Sequence, residues 1–150
     1  MEPMSKQPVL NAGLLSSDIL EQQFGPTEIE VLSQDGDKRV ICTRVAHSRQ
    51  VLEISTVKFI AEGAKKFVQT HQAVLDGMSM GKAFRRDKID FIRQIQKIYR
   101  QELSANLEQQ FGETGEATVV SVLILVGPGK TPYAEILETY SPAVDWPQTV

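Results

Sequence analysis

The sequence has little of what a disulfide-bonded, metal-binding or membrane-spanning protein requires. One cysteine and two histidines occur among 150 residues, so no internal disulfide can form and no metal site follows from recognisable ligand spacing. No apolar run approaches the ~20 residues of a membrane-spanning helix, and no signal-peptide pattern opens the chain. We therefore expect a cytoplasmic protein without a membrane span or metal, in which Cys42 is a small core residue.

The net charge of the chain is also small, and it is negative. The formal net charge is -3 and the isoelectric point is near 5.4, so the chain lacks the basic surface that binds nucleic acid. Its length and its 41% hydrophobic content fit one globular core. The sequence predicts a flexible N-terminal arm over residues 1–10 and a single domain over residues 11–150.

The first half of the chain predicts one helix and three strands. A hydroxyl N-cap at Ser16 or Ser17, followed by apolar residues at helical spacing, predicts a short helix. An alternating strand is expected over residues 27–32. Residues 39–47 and 50–59 are rich in Val, Ile and Thr and flank a short polar link, which predicts an antiparallel hairpin.

The second half predicts two helical segments and a second hairpin. Residues 61–76 are expected to be helical, and a longer helix is predicted over residues 87–110. That longer helix rests on an apolar stripe at helical period: Ile89, Ile92, Ile95, Ile98 or Tyr99, Leu103 and Leu107. Residues 118–126 and 133–140 predict the hairpin. The expected fold class is α+β, a mainly antiparallel sheet with flanking helices.

Two charged residues fall among apolar neighbours on these predicted strands. Alternation gives Glu138 a face that it shares with Ala134, Ile136 and Tyr140, and it gives Arg44 a face that it shares with Val40, Cys42 and Ala46. A charge in such a place is costly unless it is paired or used. Two interpretations stay open: a structural ion pair between Arg44 and Glu138, or a ligand-binding site.

Four segments between about Leu14 and Val144 occur in an order that one enzyme family shares. The first is Leu14-Leu15 with a helix ending near Phe24 and the strand Ile29 to Leu32, and the second is an arginine-bearing strand paired to one ending Ser55-Thr56-Val57. The third is Ser79-Met80-Gly81-Lys82 with Phe91-Ile92 behind it. The fourth is Gly129-Lys130-Thr131-Pro132 leading to Glu138-Thr139-Tyr140-Ser141-Pro142. In this order they resemble the chorismate pyruvate-lyase (chorismate lyase) family, in a short form.

The resemblance implies a lyase that eliminates pyruvate from chorismate and leaves 4-hydroxybenzoate, a quinone precursor. It implies no cofactor and no partner beyond this substrate and product. The alternative is a non-catalytic aromatic-acid sensor domain of the same fold, as in certain bacterial transcription regulators. Only about a dozen residues precede the first predicted element, too few for the helix-turn-helix of such regulators, and this favours the enzyme.

The resemblance also assigns residues to the ends of the substrate. The arginine that grips the ring carboxylate falls on Arg44, or on Arg39 if the hairpin is aligned without a deletion. A backbone amide contact to the same carboxylate falls at Met80, in a turn with Gly81. The glutamate that faces the ring hydroxyl falls on Glu138, with Glu135 as the second choice. Substrate-binding residues are therefore expected to be Arg44, Met80, Gly81 and Glu138, with Arg44 and Glu138 catalytic.

Overall fold

The computed structural model describes residues 10–12 and 16–145. Apart from Leu10, the predicted N-terminal arm lies outside this range. The described elements follow one another in this order: β1 (Leu10–Ala12), α1 (Ser16–Phe24), β2 (Thr27–Asp35), β3 (Lys38–Val45), β4 (Val51–Phe59), α2 (Ala61–Lys66), α3 (Val68–Leu75), α4 (Met80–Arg86), β5 (Phe91–Glu102), α5 (Ala105–Phe111), β6 (Glu116–Val126) and β7 (Thr131–Tyr140).

All of these strands belong to a single antiparallel sheet with the order β1-β5-β6-β7-β4-β3-β2. Both predicted hairpins are present, β3 with β4 and β6 with β7. The α+β class with a mainly antiparallel sheet is thereby confirmed. Within the described residues, none of the helices has the length and apolar content to cross a bilayer.

The sheet has two differently covered faces. On the first, which we call the pocket face, side chains of β4 to β7 pack with α1, α3 and α4 into the main core, which includes Leu20, Val57, Val74, Phe84, Ile95, Val120 and Ile124. On the second, which we call the α5 face, a smaller cluster contains Cys42, Val51, Leu103, Phe111 and Ala117. Cys42 is 2% exposed, as expected of a core residue. Both faces therefore carry buried apolar side chains.

The predicted helix over residues 87–110 is wrong. The segment forms strand β5 (Phe91–Glu102) and the short helix α5 (Ala105–Phe111). A new N-cap begins α5, where the Ser104 hydroxyl accepts a hydrogen bond from the amide of Leu107. The β-branched and aromatic residues of the first part favour a strand, and pairing with β1 and β6 on both sides fixes it.

A β-bulge explains why this strand looked helical. Ile95 pairs with Val122 and Lys97 pairs with Ser121, so Gln96 is an extra residue without a direct partner. The extra residue turns Ile98 to the same buried face as Ile95. Two core residues of one strand are therefore three positions apart, which is a helical spacing.

The segment over residues 61–76 is helical as predicted, but it forms α2 and α3 with a break at Phe67. Gly63 lets α2 lie close to β7, because a Cβ atom there would be 2.5 Å from the carbonyl oxygen of Pro132 and 2.7 Å from Cα of Tyr133. Only glycine permits so close an approach. Helix α3 then reaches the pocket face, where its Val74 carbonyl contacts Arg39.

Candidate functional site

A narrow pocket opens on the pocket face, between strands β2, β3, β4 and β7 and the first residues of α1 and α4. Its enclosed volume is about 50 Å³, and the space counted out to the open mouth is about 510 Å³. The walls are mostly apolar and are formed by Ile29, Ile41, Val57, Met80 and Ile136. Polar side chains of Ser16, Arg39, Thr43, Glu53, Ser55, Ser79 and Glu138 complete the lining. A mostly apolar pocket with a few convergent polar groups is typical of a small-molecule site.

The strand register separates the charged residues of the pocket into two ends. Arg39 lies beside Val57 in the β3–β4 ladder, whereas Glu53 lies beside Thr43, four positions along β3. At about 3.3 Å per residue, the two backbone positions are ~13 Å apart. Glu138 lies beside Ser55, near Glu53. One end of the pocket is therefore cationic and the other carries two carboxyl groups.

Arg39 forms the cationic end and is 2% exposed. Its Nη1 donates a hydrogen bond to the Val74 carbonyl at 2.8 Å, and its guanidinium lies 5.4 Å from the ring centre of Phe59. Nε has no hydrogen-bond partner, and no ion pair among residues 10–12 and 16–145 involves Arg39. Burial lowers its pKa. A buried guanidinium without a counter-ion is costly, so this end is suited to a carboxylate ligand.

Arg44 does not line this pocket. It shares the α5 face with Val40 and Cys42, as the alternation predicted, and that face is opposite to the pocket. Its guanidinium lies 3.5 Å from the Glu30 carboxylate at the partly exposed edge of the sheet. The expected pairing of Arg44 with Glu138, through a ligand or directly, is therefore wrong. Arg39, the alternative choice, occupies the expected position.

Glu138 lines the pocket from β7 and is 2% exposed. It shares its face with Ile136 and Tyr140, as predicted. Its carboxylate accepts hydrogen bonds from the Arg93 guanidinium, with which it forms a buried ion pair, and from the Tyr140 hydroxyl at 2.8 Å. Glu135, the second choice, is solvent-exposed. Glu138 is thus a charged residue of the pocket lining, and these hydrogen bonds fix its position.

The sequence patterns did not indicate Arg93 as a site residue, because its segment was predicted to be a helix. It is fully buried on β5, where burial by itself lowers its pKa, but Glu138, Tyr140 and Glu53 together outweigh this and the pKa is raised overall. The guanidinium is therefore a permanent cation. Its charge balances that of Glu138.

Glu53 is the second residue that the sequence analysis missed. It is 1% exposed and lies on the pocket face of β4. Its carboxyl group accepts hydrogen bonds from the Ser55 hydroxyl at 2.5 Å and from the Thr43 hydroxyl at 3.4 Å. Burial, and then the charge of Glu138, raise its pKa to about 8. At neutral pH it is therefore a protonated acid.

Met80 and Gly81 do not form the expected turn. They are the first two residues of helix α4, where the Ser79 hydroxyl accepts a hydrogen bond from the amide of Lys82 at 3.3 Å. Met80 does line the pocket, whereas Gly81 is buried in the helix. This segment therefore contributes Ser79 and Met80 to the pocket lining.

The chemistry of the site is that of carboxyl and guanidinium groups. Among the described residues, no cluster of three or more His, Cys, Asp or Glu side chains is placed to hold a metal ion.

Comparison of the sequence with protein-family models finds no match, and comparison with curated proteins finds no significant match.

Proposed function

We propose that this protein is a chorismate lyase, which eliminates pyruvate from chorismate to leave 4-hydroxybenzoate. One observation carries the proposal: a buried arginine with no carboxylate partner among the described residues faces an apolar pocket whose other end holds two carboxyl groups. The family resemblance of the sequence motifs is independent support. An aromatic acid with an oxygen on the opposite side of its ring matches this distribution of charge.

Arg39 is the proposed ligand of the ring carboxylate. Its planar fork can make two charge-assisted hydrogen bonds to a carboxylate, and a lysine could not do so. The ligand would bring to Arg39 a counter-ion, which none of residues 10–12 and 16–145 supplies. Val57 and Ile136 would pack against the ring, and the narrow pocket favours a ligand with a single ring.

The reaction needs little from the protein beyond this binding. The bond between the ring and the ether oxygen breaks, the neighbouring hydroxyl-bearing carbon loses its proton, and the electrons of that C–H bond complete the aromatic ring. The hydroxyl on that carbon becomes the phenol of the product, and Glu138 would lie at this end. Aromatisation supplies the driving force, so positioning and exclusion of water are the main contributions of the pocket.

The proposal is tested by incubating the purified protein with chorismate and measuring 4-hydroxybenzoate and pyruvate by chromatography. Arg39→Gln should abolish product formation, whereas the matched variant Arg44→Gln should leave it unchanged. Binding of 4-hydroxybenzoate without turnover would favour the sensor function instead. Neither turnover nor binding of an aromatic acid would contradict both functions.

A further inference from the structure

We propose that Glu53 is a second catalytic residue, a proton donor to the departing ether oxygen, while Glu138 accepts the proton from the ring carbon. This inference rests on the proposed lyase function. It adds an acid to a site in which the sequence motifs assign catalytic roles to one arginine and one glutamate.

The geometry makes Glu53 and Glu138 a pair. Both are almost completely buried and both line the pocket. Ser55 joins them, because its hydroxyl donates to Glu53 and its backbone lies opposite Glu138 in the β4–β7 ladder. Two carboxyl groups so close together in a dry site do not both ionise, and together they hold one proton.

The surroundings decide which member holds that proton. From β5 and β7, Arg93 and Tyr140 hydrogen-bond to Glu138 and stabilise its charge. Glu53 accepts hydrogen bonds from uncharged hydroxyl groups, those of Thr43 and Ser55 and that of Ser16 in α1. The Arg93 charge also favours ionised Glu53, but less than burial and the Glu138 charge disfavour it. None of the ion pairs among the described residues involves Glu53. The proton therefore belongs to Glu53, in agreement with its raised pKa.

This division gives a balanced elimination. The Glu138 carboxylate takes the proton from the hydroxyl-bearing ring carbon, and the electrons of that bond form the new ring double bond. The ring–oxygen bond breaks towards oxygen, which takes the proton of Glu53 and leaves as enolpyruvate. Enolpyruvate becomes pyruvate in solution. Glu138 then holds the proton and Glu53 the charge, and transfer of one proton between these neighbours restores the starting state.

The test compares Glu53→Gln with Glu135→Gln in the full-length protein. Glutamine keeps the size and neutrality of protonated Glu53 but has no proton to transfer, whereas Glu135 is an exposed glutamate on the other face of β7. We expect Glu53→Gln to lower kcat about 100-fold and to change KM less than about threefold. Glu135→Gln should match the wild type.

A pH profile separates proton donation from a structural role. Wild-type kcat should fall as the pH rises through about 8, where Glu53 loses its proton, and the remaining activity of Glu53→Gln should lack this fall. Ser55→Ala provides a second measurement if Glu53→Gln does not fold. The Ser55 hydrogen bond lowers the pKa of Glu53, so its removal should shift the fall in kcat to higher pH.

The outcomes distinguish the two proposals. A wild-type protein that releases no pyruvate overturns both the lyase and the role of Glu53. An active wild type with an equally active Glu53→Gln overturns only the role of Glu53. An active wild type whose alkaline fall persists in Glu53→Gln does the same. The expected loss of kcat together with the loss of the alkaline fall supports both.

Discussion

Strand β3 carries two arginines whose surroundings differ completely. Arg39 is 2% exposed on the pocket face and has no carboxylate partner among the described residues. The Arg44 side chain is 24% exposed on the α5 face and lies 3.5 Å from Glu30. Nε of each arginine is buried without a hydrogen-bond partner, but the partly exposed Arg44 already has a carboxylate beside it. A buried arginine without a counter-ion is suited to binding an anion. The contrast is the reason why we propose Arg39, and not Arg44, as the ligand of the carboxylate.

Strand β7 repeats the contrast with two glutamates. Glu138 is buried on the pocket face between Arg93 and Tyr140, and Glu135 points to solvent from the opposite face. Arg39 and Glu138 therefore each have a matched residue of the same type on their own strand. Paired substitutions can isolate the effect of the pocket from that of the residue type.

The largest effect on stability should come from Glu138→Gln. Removing the negative charge beside the buried Arg93 guanidinium should lower the free energy of unfolding by about 4 kcal/mol. Urea denaturation measures this. Glu135→Gln, its partner in the comparison, should change the stability by less than about 0.5 kcal/mol. Equal effects of the two variants would show that the buried ion pair does not stabilise the fold.

The largest effect on binding should come from Arg39→Gln. Loss of a charge-assisted contact to the carboxylate costs up to about 3 kcal/mol, so the Kd for 4-hydroxybenzoate should rise roughly 100-fold in calorimetric titrations. Arg44→Gln should bind like the wild type. If Arg44→Gln binds weakly and Arg39→Gln binds normally, the assignment of the pocket face is wrong.

Glu53→Gln should change how stability depends on pH. The folded protein keeps the proton of Glu53 up to about pH 8, while an unfolded glutamate releases it near pH 4.3, so the wild type loses stability as the pH rises between these values. The variant lacks this loss. Between pH 5 and pH 7 the free energy of unfolding of Glu53→Gln should gain roughly 2 kcal/mol over the wild type. A constant difference would mean that Glu53 is ionised in the folded state.

The smallest effect should come from the ion pair on the α5 face. Both partners are partly exposed, with 24% of the Arg44 side chain and 48% of the Glu30 side chain accessible. A double-mutant cycle with Arg44→Gln and Glu30→Gln should therefore give a coupling energy below about 1 kcal/mol. A larger value would show that the two faces are less different than their burial indicates.

Much of the fold follows from local pattern, because both hairpins combine β-branched strands with polar turns. Helix α1 likewise follows from the hydroxyl residues at its start and from its apolar spacing. Strand β5 does not, since the extra residue Gln96 gives its core residues Ile95 and Ile98 a helical spacing. Pairing with strands that are distant in the sequence makes this segment a strand, and no local pattern contains that information.

The site was only half predictable for a similar reason. Alternation correctly groups Glu138 with its neighbours, and Arg44 with Cys42, but it does not say which face holds the pocket when both faces are covered. The sequence does contain a signal for Glu53, which is an acid within the β-branched strand β4 (Val51–Phe59). The sequence contains no such signal for Arg93, because its strand was assigned as a helix. The order of the strands in the sheet was needed to assign Glu138, Arg44, Glu53 and Arg93 to their faces.

The bulge in β5 also marks where this chain can change its length. Pairing with β6 is continuous on both sides of Gln96, from Phe91 with Val126 to Ile95, and again from Lys97 to Glu102. Deleting Gln96 would join two segments that are already in register, and every side chain would keep its face. A deletion anywhere else in the strand would turn the residues beyond it to the wrong side of the sheet. Insertions and deletions among related sequences are therefore expected at this residue and not elsewhere in β5.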